Sequence, residues 1–152
     1  MNVMELLKER HMEFQVCPHA EARDAQRLAQ ALHVCGKQVI KTVMIKADQG
    51  FAYIVALLPA TKRVNLERLS KAMGGSRLEI ATEEEVIQHC PDCEPGVLPP
   101  FGSEYGMQTW VDSSLVHENE IFFEANTHHD AVRMRFIDFR QMEEPLVASF
   151  AE

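Results

Sequence analysis

One lysine stands where a lysine is costly. In the run Val39–Lys46, period-two alternation puts Val39, Lys41, Val43 and Ile45 on one face of a strand, and Ile40, Thr42, Met44 and Lys46 on the other. Lys46 falls at the strand end and can reach water. Lys41 falls mid-strand among β-branched neighbours, where an ammonium without a partner is expensive. Such a group can anchor a phosphate or offset negative charge that develops in a reaction. On pattern alone the commoner case is a lysine that snorkels from a half-exposed edge strand.

A second candidate is the run Gly96-Val97-Leu98-Pro99-Pro100-Phe101-Gly102. Glycine permits close backbone approach to a ligand and two prolines stiffen the next turn, so the loop could present backbone N–H groups to an anion or a developing oxyanion. A stiff surface connection would look the same. Asn126-Thr127-His128-His129 sits between two strand-like runs and could bind a ligand or move protons, although adjacent loop histidines are more often simply solvated. Cys90-Pro91-Asp92-Cys93, beside His89, has the spacing of a zinc knuckle or a redox pair. A closed zinc site needs a second ligand pair, which Cys17-Pro18-His19 could supply only by an unforeseen fold, so no metal or other cofactor is expected. No nucleophile elbow, P-loop or dinucleotide fingerprint is present.

The elements that must position these residues are read from pattern and punctuation. Helices are expected over Val3–Met12, from the cap Asp24 through Leu32 with Gly36 beyond its end, from the cap Asn65 to Gly74-Gly75, and from the capping box at Thr82 to His89. A short helix should start at Asp138. Strands are expected at Phe14–Cys17, Val39–Lys46, Phe51–Leu58, Gln108–Val111, Glu120–Ala125, Ala131–Phe136 and Leu146–Phe150, the second and third joined by a turn at Ala47–Gly50. Strands outnumber helices and several are hairpin-linked. That pattern predicts an α+β fold with a mixed, largely antiparallel sheet and surrounding helices, in a single domain over residues 1–152.

The 152 residues suit one core, and 46% hydrophobic content excludes wholesale disorder. The longest apolar run, Phe51–Ala60, is well short of the roughly 20 residues a membrane span needs. The charged N-terminus lacks the apolar stretch of a signal peptide, and the four cysteines fit a reducing compartment, so a cytoplasmic protein is expected. The net charge of −8 is unevenly spread: residues 1–77 carry 12 lysines and arginines against 7 acids, whereas residues 78–132 carry 12 acids and no lysine or arginine. A chain so polarised can attract a phosphate backbone on one side while repelling it on the other, and a broad duplex footprint is not expected. The acidic segment should therefore face away from such a partner, apart from the Gly96 loop.

Taken in order, these stretches resemble the YbaK/ProX family, whose fold also occurs as the editing domain of bacterial prolyl-tRNA synthetases. The resemblance rests on Val39–Val43, Val55–Pro59, Ala81–Glu85, Gly96–Gly102, Thr109–Leu115 and Glu124–Met134, and covers residues from about 10 to 142. It implies a trans-editing deacylase that hydrolyses the ester of a mischarged small amino acid on tRNA. In that family Lys41's counterpart is the functional lysine and the loop from Gly96 to Pro100 orients the aminoacyl group, so Lys41, Gly96 and Pro100 are the expected catalytic set. Catalysis is assisted by a hydroxyl of the substrate's terminal adenosine, without a protein nucleophile or cofactor.

The substrate-binding residues implied by the resemblance are Thr42, Leu98, Pro99, Phe101, Gly102, Asp112, Asn126, Thr127, His128 and His129. Lys37, Lys62 and Arg63 are the expected contacts to the tRNA backbone. The implied partners are a tRNA acceptor end carrying a small amino acid and an aminoacyl-tRNA synthetase, with no membrane and no DNA. The chain departs from the family at Leu98-Pro99, where many members have a smaller or serine-containing pair, and at Asn126, near a common glycine. A non-catalytic module that binds a nucleotide or RNA 3′ end is the alternative, and a zinc or redox protein centred on Cys90 and Cys93 is a further rival.

Overall fold

The hairpin expected at the centre of the chain is the spine of the molecule. In a computed structural model describing residues 1–152, β2 (Ile40–Ala47) pairs with β3 (Ala52–Pro59) antiparallel over its whole length, from Ile40 opposite Pro59 to Ala47 opposite Ala52. β4 (Leu78–Ile80) adds antiparallel to the far end of β2, while β5 (Gln108–Asp112) and β8 (Leu146–Ala148) add parallel beyond β3, giving the order β4-β2-β3-β5-β8. A separate antiparallel sheet takes the order β1-β7-β6, from Gln15–Pro18, Asp130–Arg135 and Glu120–Glu124. The α+β class holds, but the strands form two sheets where one was expected. The reason lies at β2. Its outer edge meets β4 only at Ile45–Ala47 and touches the second sheet only through a single bridge from Val39 to Phe122, so the sheets diverge from that point.

The main core fills the angle between the sheets. Ile40, Met44, Val55 and Leu57 meet Ile121, Phe123, Val132 and Met134 there. Helix α1 (Val3–Glu9) and helix α5 (Phe136–Glu143) cover the cluster, and Phe101 reaches its centre from the proline-rich crossover. The opposite face of the five-stranded sheet buries Ile45, Ile54, Ala56, Leu58 and Trp110 beneath Leu69 of α3 (Leu66–Ala72). A third cluster, with Leu28 and Ala29 of α2 (Ala25–Leu32), closes over Val39, Ala60, Phe122 and Ala131 where the two sheets join. No helix is long and apolar enough to cross a membrane.

The caps act as their residue types suggest. Asp24 and Asn65 accept from Arg27 N and Arg68 N, and Thr82 with Glu85 forms a reciprocal box at the start of α4 (Glu83–His89). Glu85 also accepts from the Tyr53 hydroxyl at 2.6 Å and from Lys46 at 3.4 Å. Those donors, Tyr53 foremost, hold its carboxyl down at about 2 and tie α4 to the hairpin. Several elements differ from expectation, these three among them. α1 stops at Glu9, α5 starts two residues early at Phe136 because Asp138 pairs with Arg135 instead of capping, and the three-residue β4 escapes a pattern-based reading because its residues are largely exposed.

Asp112, expected to bind substrate, is a buried structural acceptor at the end of β5. Its carboxylate takes N–H bonds from Phe150 and Ala151 at 2.9 Å each and from Ser114 at 3.1 Å, fastening the last residues of the chain to the sheet. Burial would raise its affinity for a proton, but the Ser114 hydroxyl and these N–H groups outweigh burial and hold the carboxyl below its ordinary value. Asp112→Ala should lower stability by on the order of 3 kcal/mol, since buried donors lose a charged acceptor. Because the folded value lies below the unfolded one of about 3.9, the charge-dependent contribution is complete above that pH and disappears as pH falls through the folded value. Urea titrations of both proteins at neutral and strongly acidic pH check this, and the gap should narrow in acid.

Candidate functional site

Between the Val39 bridge and the Ile45 pairing, the edge of β2 from Ile40 to Val43 has no neighbouring strand. A cleft of about 380 Å³ opens there. One wall is Ile40, Lys41 and Thr42, and another is the segment Ala22–Gln26 with Leu28 of α2. Gly96, Val97 and Leu98 form the third wall, and Phe123, Glu124 and His128 complete it. A neighbouring groove of about 310 Å³ shares Thr42, Gly96 and Leu98 with the cleft, so Leu98 stands as a partition between the two.

Lys41 is half-buried, and its one hydrogen bond runs from Nζ to the carbonyl oxygen of Lys62 at 3.3 Å. The ammonium is held by a neutral acceptor alone, which leaves it free to meet an anion. This bond ties the Lys62 backbone to Lys41, while Lys62 itself is exposed and is not among the residues lining the cleft. Gly36 packs so closely on Thr61 that a Cβ there would lie 2.8 Å from the threonine methyl; the neighbouring Lys37 is exposed and is not among the residues lining the cleft. Arg63 is also exposed, but its backbone pairs with Glu152.

The Gly96 loop is anchored at both ends. Gly96 has φ +88°, a left-handed conformation, and a Cβ there would lie 3.4 Å from the His128 ring. Pro99 and Pro100 are buried outside the cleft. Phe101 packs against Phe123 and Phe139 with ring centres 5.6 and 5.5 Å away. Gly102 fits tightly under Thr109, where a Cβ would lie 2.6 Å from the hydroxyl. These four residues, expected in the site, lie outside the cleft and hold the segment that presents Gly96 and Leu98.

Asn126, Thr127, His128 and His129 have different surroundings. Asn126 accepts from Val3 N and donates to the Met1 carbonyl at 2.8 Å each, clamping the N-terminus. Thr127 bonds Asp130 and the His129 backbone, and neither Thr127 nor His129 lines the cleft. Only His128 does. Its Nδ1 lies 3.0 Å from the Ala22 carbonyl and its Nε2 2.7 Å from the Pro95 carbonyl, so the ring spans two walls. It can donate to both carbonyls only as an imidazolium.

Sequence reasoning missed Glu124 and the Ala22–Gln26 wall. Glu124 accepts or shares a proton with His19, whose Nε2 lies 2.6 Å from Oε1, and the His19 side chain is only 1% exposed. Glu124 Oε2 is buried without any partner. Burial pushes the Glu124 carboxyl up, against the lowering effect of His19. The run Glu120-Ile121-Phe122-Phe123-Glu124 reads as a strand with solvated ends, which disguises it.

The Cys90–Cys93 pair stands apart from this site. Burial pushes the Cys90 thiol up to about 12, and Cys93 contacts the Tyr105 hydroxyl at 3.6 Å. His89 turns away to pack its ring, tilted by 44°, on Tyr53 and to bond the Glu85 carbonyl.

Comparison with known proteins finds relatives of both the sequence and the fold. The chain is 27% identical over 129 residues to a proline–tRNA ligase of Bacillus subtilis, a match covering 78% of this chain but 22% of that protein. It is 23% identical over 148 residues to the multifunctional Ser/Thr-tRNA deacylase ProXp-y of Escherichia coli K12, covering 95% of this chain and 88% of the other. A crystal structure of a candidate trans-editing enzyme for prolyl tRNA synthetase superposes with TM-score 0.84 at 23% identity, over 99% of this chain and 94% of that one, and shares its fold. The model for the aminoacyl-tRNA editing domain matches residues 19–142, from His19 through Lys41, the Gly96 loop and Glu124 into α5. The chain belongs to the aminoacyl-tRNA editing domain family.

Proposed function

We propose that the protein is a trans-editing hydrolase that releases a small amino acid from mischarged tRNA in the cytoplasm, with a synthetase as its partner in tRNA traffic. The observation that carries this reading is the pairing, in one cleft, of an ammonium without a carboxylate partner at Lys41 and a left-handed glycine at Gly96. An aminoacyl ester is already activated, so its hydrolysis needs a held carbonyl and a placed water more than a protein nucleophile. Lys41 anchors the phosphate of the terminal nucleotide and offsets developing charge. Backbone N–H groups around Gly96 polarise the ester carbonyl, and a hydroxyl of the terminal adenosine guides the water. At about 380 Å³ the cleft is near the small end for ligand sites, which favours a small aminoacyl group.

Lys41→Ala should lower deacylation of alanyl- and seryl-tRNA by about 100-fold, the scale of removing one electrostatic stabiliser. Its melting temperature should hardly move, because the side chain makes a single bond to Lys62. Lys41→Arg should rescue poorly, since a planar fork does not replace a compact ammonium. Full activity in the alanine variant would assign Lys41 to surface solvation and leave the family fold as a binding module.

Gly96→Ala should reduce kcat more than it raises KM, the mark of a contact made chiefly in the transition state. The alanine must hold a strained, left-handed φ, with its methyl against the His128 ring. Leu98→Ala should instead join the two grooves and admit a bulkier aminoacyl group. Turnover on a panel of aminoacyl-tRNAs, read beside melting temperatures, separates these effects from simple loss of stability.

Reversing charge at Lys62 and Arg63 together should weaken tRNA binding and reduce the slope of log affinity against log salt by about 2. Binding titrations across salt concentrations measure it. An unchanged slope would remove both residues from the interface.

A further inference from the structure

Glu124 holds one polar atom that the fold leaves unsatisfied. It ends β6, lines the same cleft as Lys41, and its Oε2 is buried with no donor. Buried polar atoms are nearly always paired, and a carboxylate oxygen left bare is a costly exception. Its other oxygen is fixed. His19 Nδ1 lies 2.6 Å from the Ala20 carbonyl, which can only accept, so Nδ1 carries a hydrogen. Nε2 then faces Oε1 at 2.6 Å with a single proton between them, because two bare lone pairs would repel at that distance. Wherever that proton sits, Oε2 is left as an acceptor.

A ligand in the cleft can supply the missing donor, and the charges of the cleft indicate its kind. Two carboxylates line the cleft, Asp24 and Glu124. Asp24 is occupied in capping α2, accepts from Arg27 N at 2.8 Å, and is more than half exposed. Glu124 is the one with a free oxygen away from bulk water. The end of an aminoacyl-tRNA carries a phosphate on one side of the ester and an α-ammonium on the other. Lys41 suits the first and Glu124 the second.

We propose, on the editing reading above, that Glu124, steadied by His19, receives the α-ammonium of the aminoacyl group, so that the cleft selects amino acids with a free amine over N-acylated ones. An ammonium offers three donors and a full charge to Oε2. An acylated amine offers one neutral N–H and added bulk. Sites built to hydrogen-bond a substrate group discriminate strongly against analogues lacking it, because their own polar atom is then left unpaired.

The test compares alanyl-tRNA with N-acetyl-alanyl-tRNA as substrates. In parallel, binding is measured for the stable amide 3′-alanylamino-3′-deoxyadenosine and its N-acetyl form. The unaltered protein should favour the free amine by at least about 100-fold in kcat/KM and in binding. Glu124→Gln should erase most of that preference, raising KM for the free-amine substrate far more than for the N-acetyl one. Glu124→Asp, which keeps the charge, should restore part of it. Melting temperatures of both variants are measured alongside.

A protein without amine preference, or a Glu124→Gln variant that loses kcat equally on both substrates, overturns the proposal, the latter outcome marking a general base. A loss that follows the fall in melting temperature and is not relieved by aspartate also overturns it. Amine preference in binding with no turnover of any ester would overturn the hydrolase reading and keep the Glu124 assignment. Failure to bind either amide would remove both.

Discussion

The outer edge of β2 is the constraint on which the rest of the structure turns. A strand edge is a row of unmet hydrogen-bonding groups, and folds normally pair it, cover it or charge it. Here β4 takes only the Ile45–Ala47 end and a lone bridge ties Val39 to the second sheet, so residues 40–43 have no strand partner on that side. Two sheets that share one junction must diverge, and the wedge between them becomes core on one side and cleft on the other. The charge of Lys41 at this notch also discourages another chain from docking as a strand.

Covering the notch falls to the loop Gly96–Leu98, and much of the surrounding structure serves to hold that loop. Phe101 is sunk among Phe123 and Phe139, and Gly102 is wedged beneath Thr109 and Val55. On the other side the Glu94 carboxylate accepts from the His128 backbone N–H and the Glu94 N–H donates to the Asn126 carbonyl, while the Asn126 side chain grips the N-terminus. The N-terminal helix, the β6–β7 turn and the loop are therefore one hydrogen-bonded unit. Residues whose motifs suggest ligand contact, such as Asn126 and Phe101, instead fix the backbone that surrounds the cleft.

That difference explains what the sequence could disclose. Helix caps at Asp24, Asn65 and Thr82, the β2–β3 hairpin and the position of Lys41 are legible from local rules, because caps and period-two alternation are written in neighbouring residues. The role of Asp112 is not, because its partners, Phe150 and Ala151, lie nearly forty positions away and bond through backbone groups that no side-chain pattern reports. The division into two sheets depends on where β4, an exposed three-residue strand without a recognisable pattern, stops pairing. Glu124 and the Ala22–Gln26 wall escape for the same reason: their meaning comes from what they face.

The charge polarity of the chain gains a different sense in three dimensions. The acidic segment 78–132, expected to turn away from an anionic partner apart from the Gly96 loop, sends Phe123, Glu124 and His128 into the cleft as well. The basic half contributes Lys41 and Arg23. The cleft is therefore a boundary between two fields, with a free ammonium on one wall and a buried carboxylate on another. A ligand that is itself dipolar is the one such a boundary orients, because reversing it would set like charges together on both walls at once. On the proposed reading the substrate ester is already reactive, and orientation is most of what the protein has to supply. A site of this kind can accordingly be built from one lysine, one left-handed glycine and one unpaired oxygen, with no nucleophile.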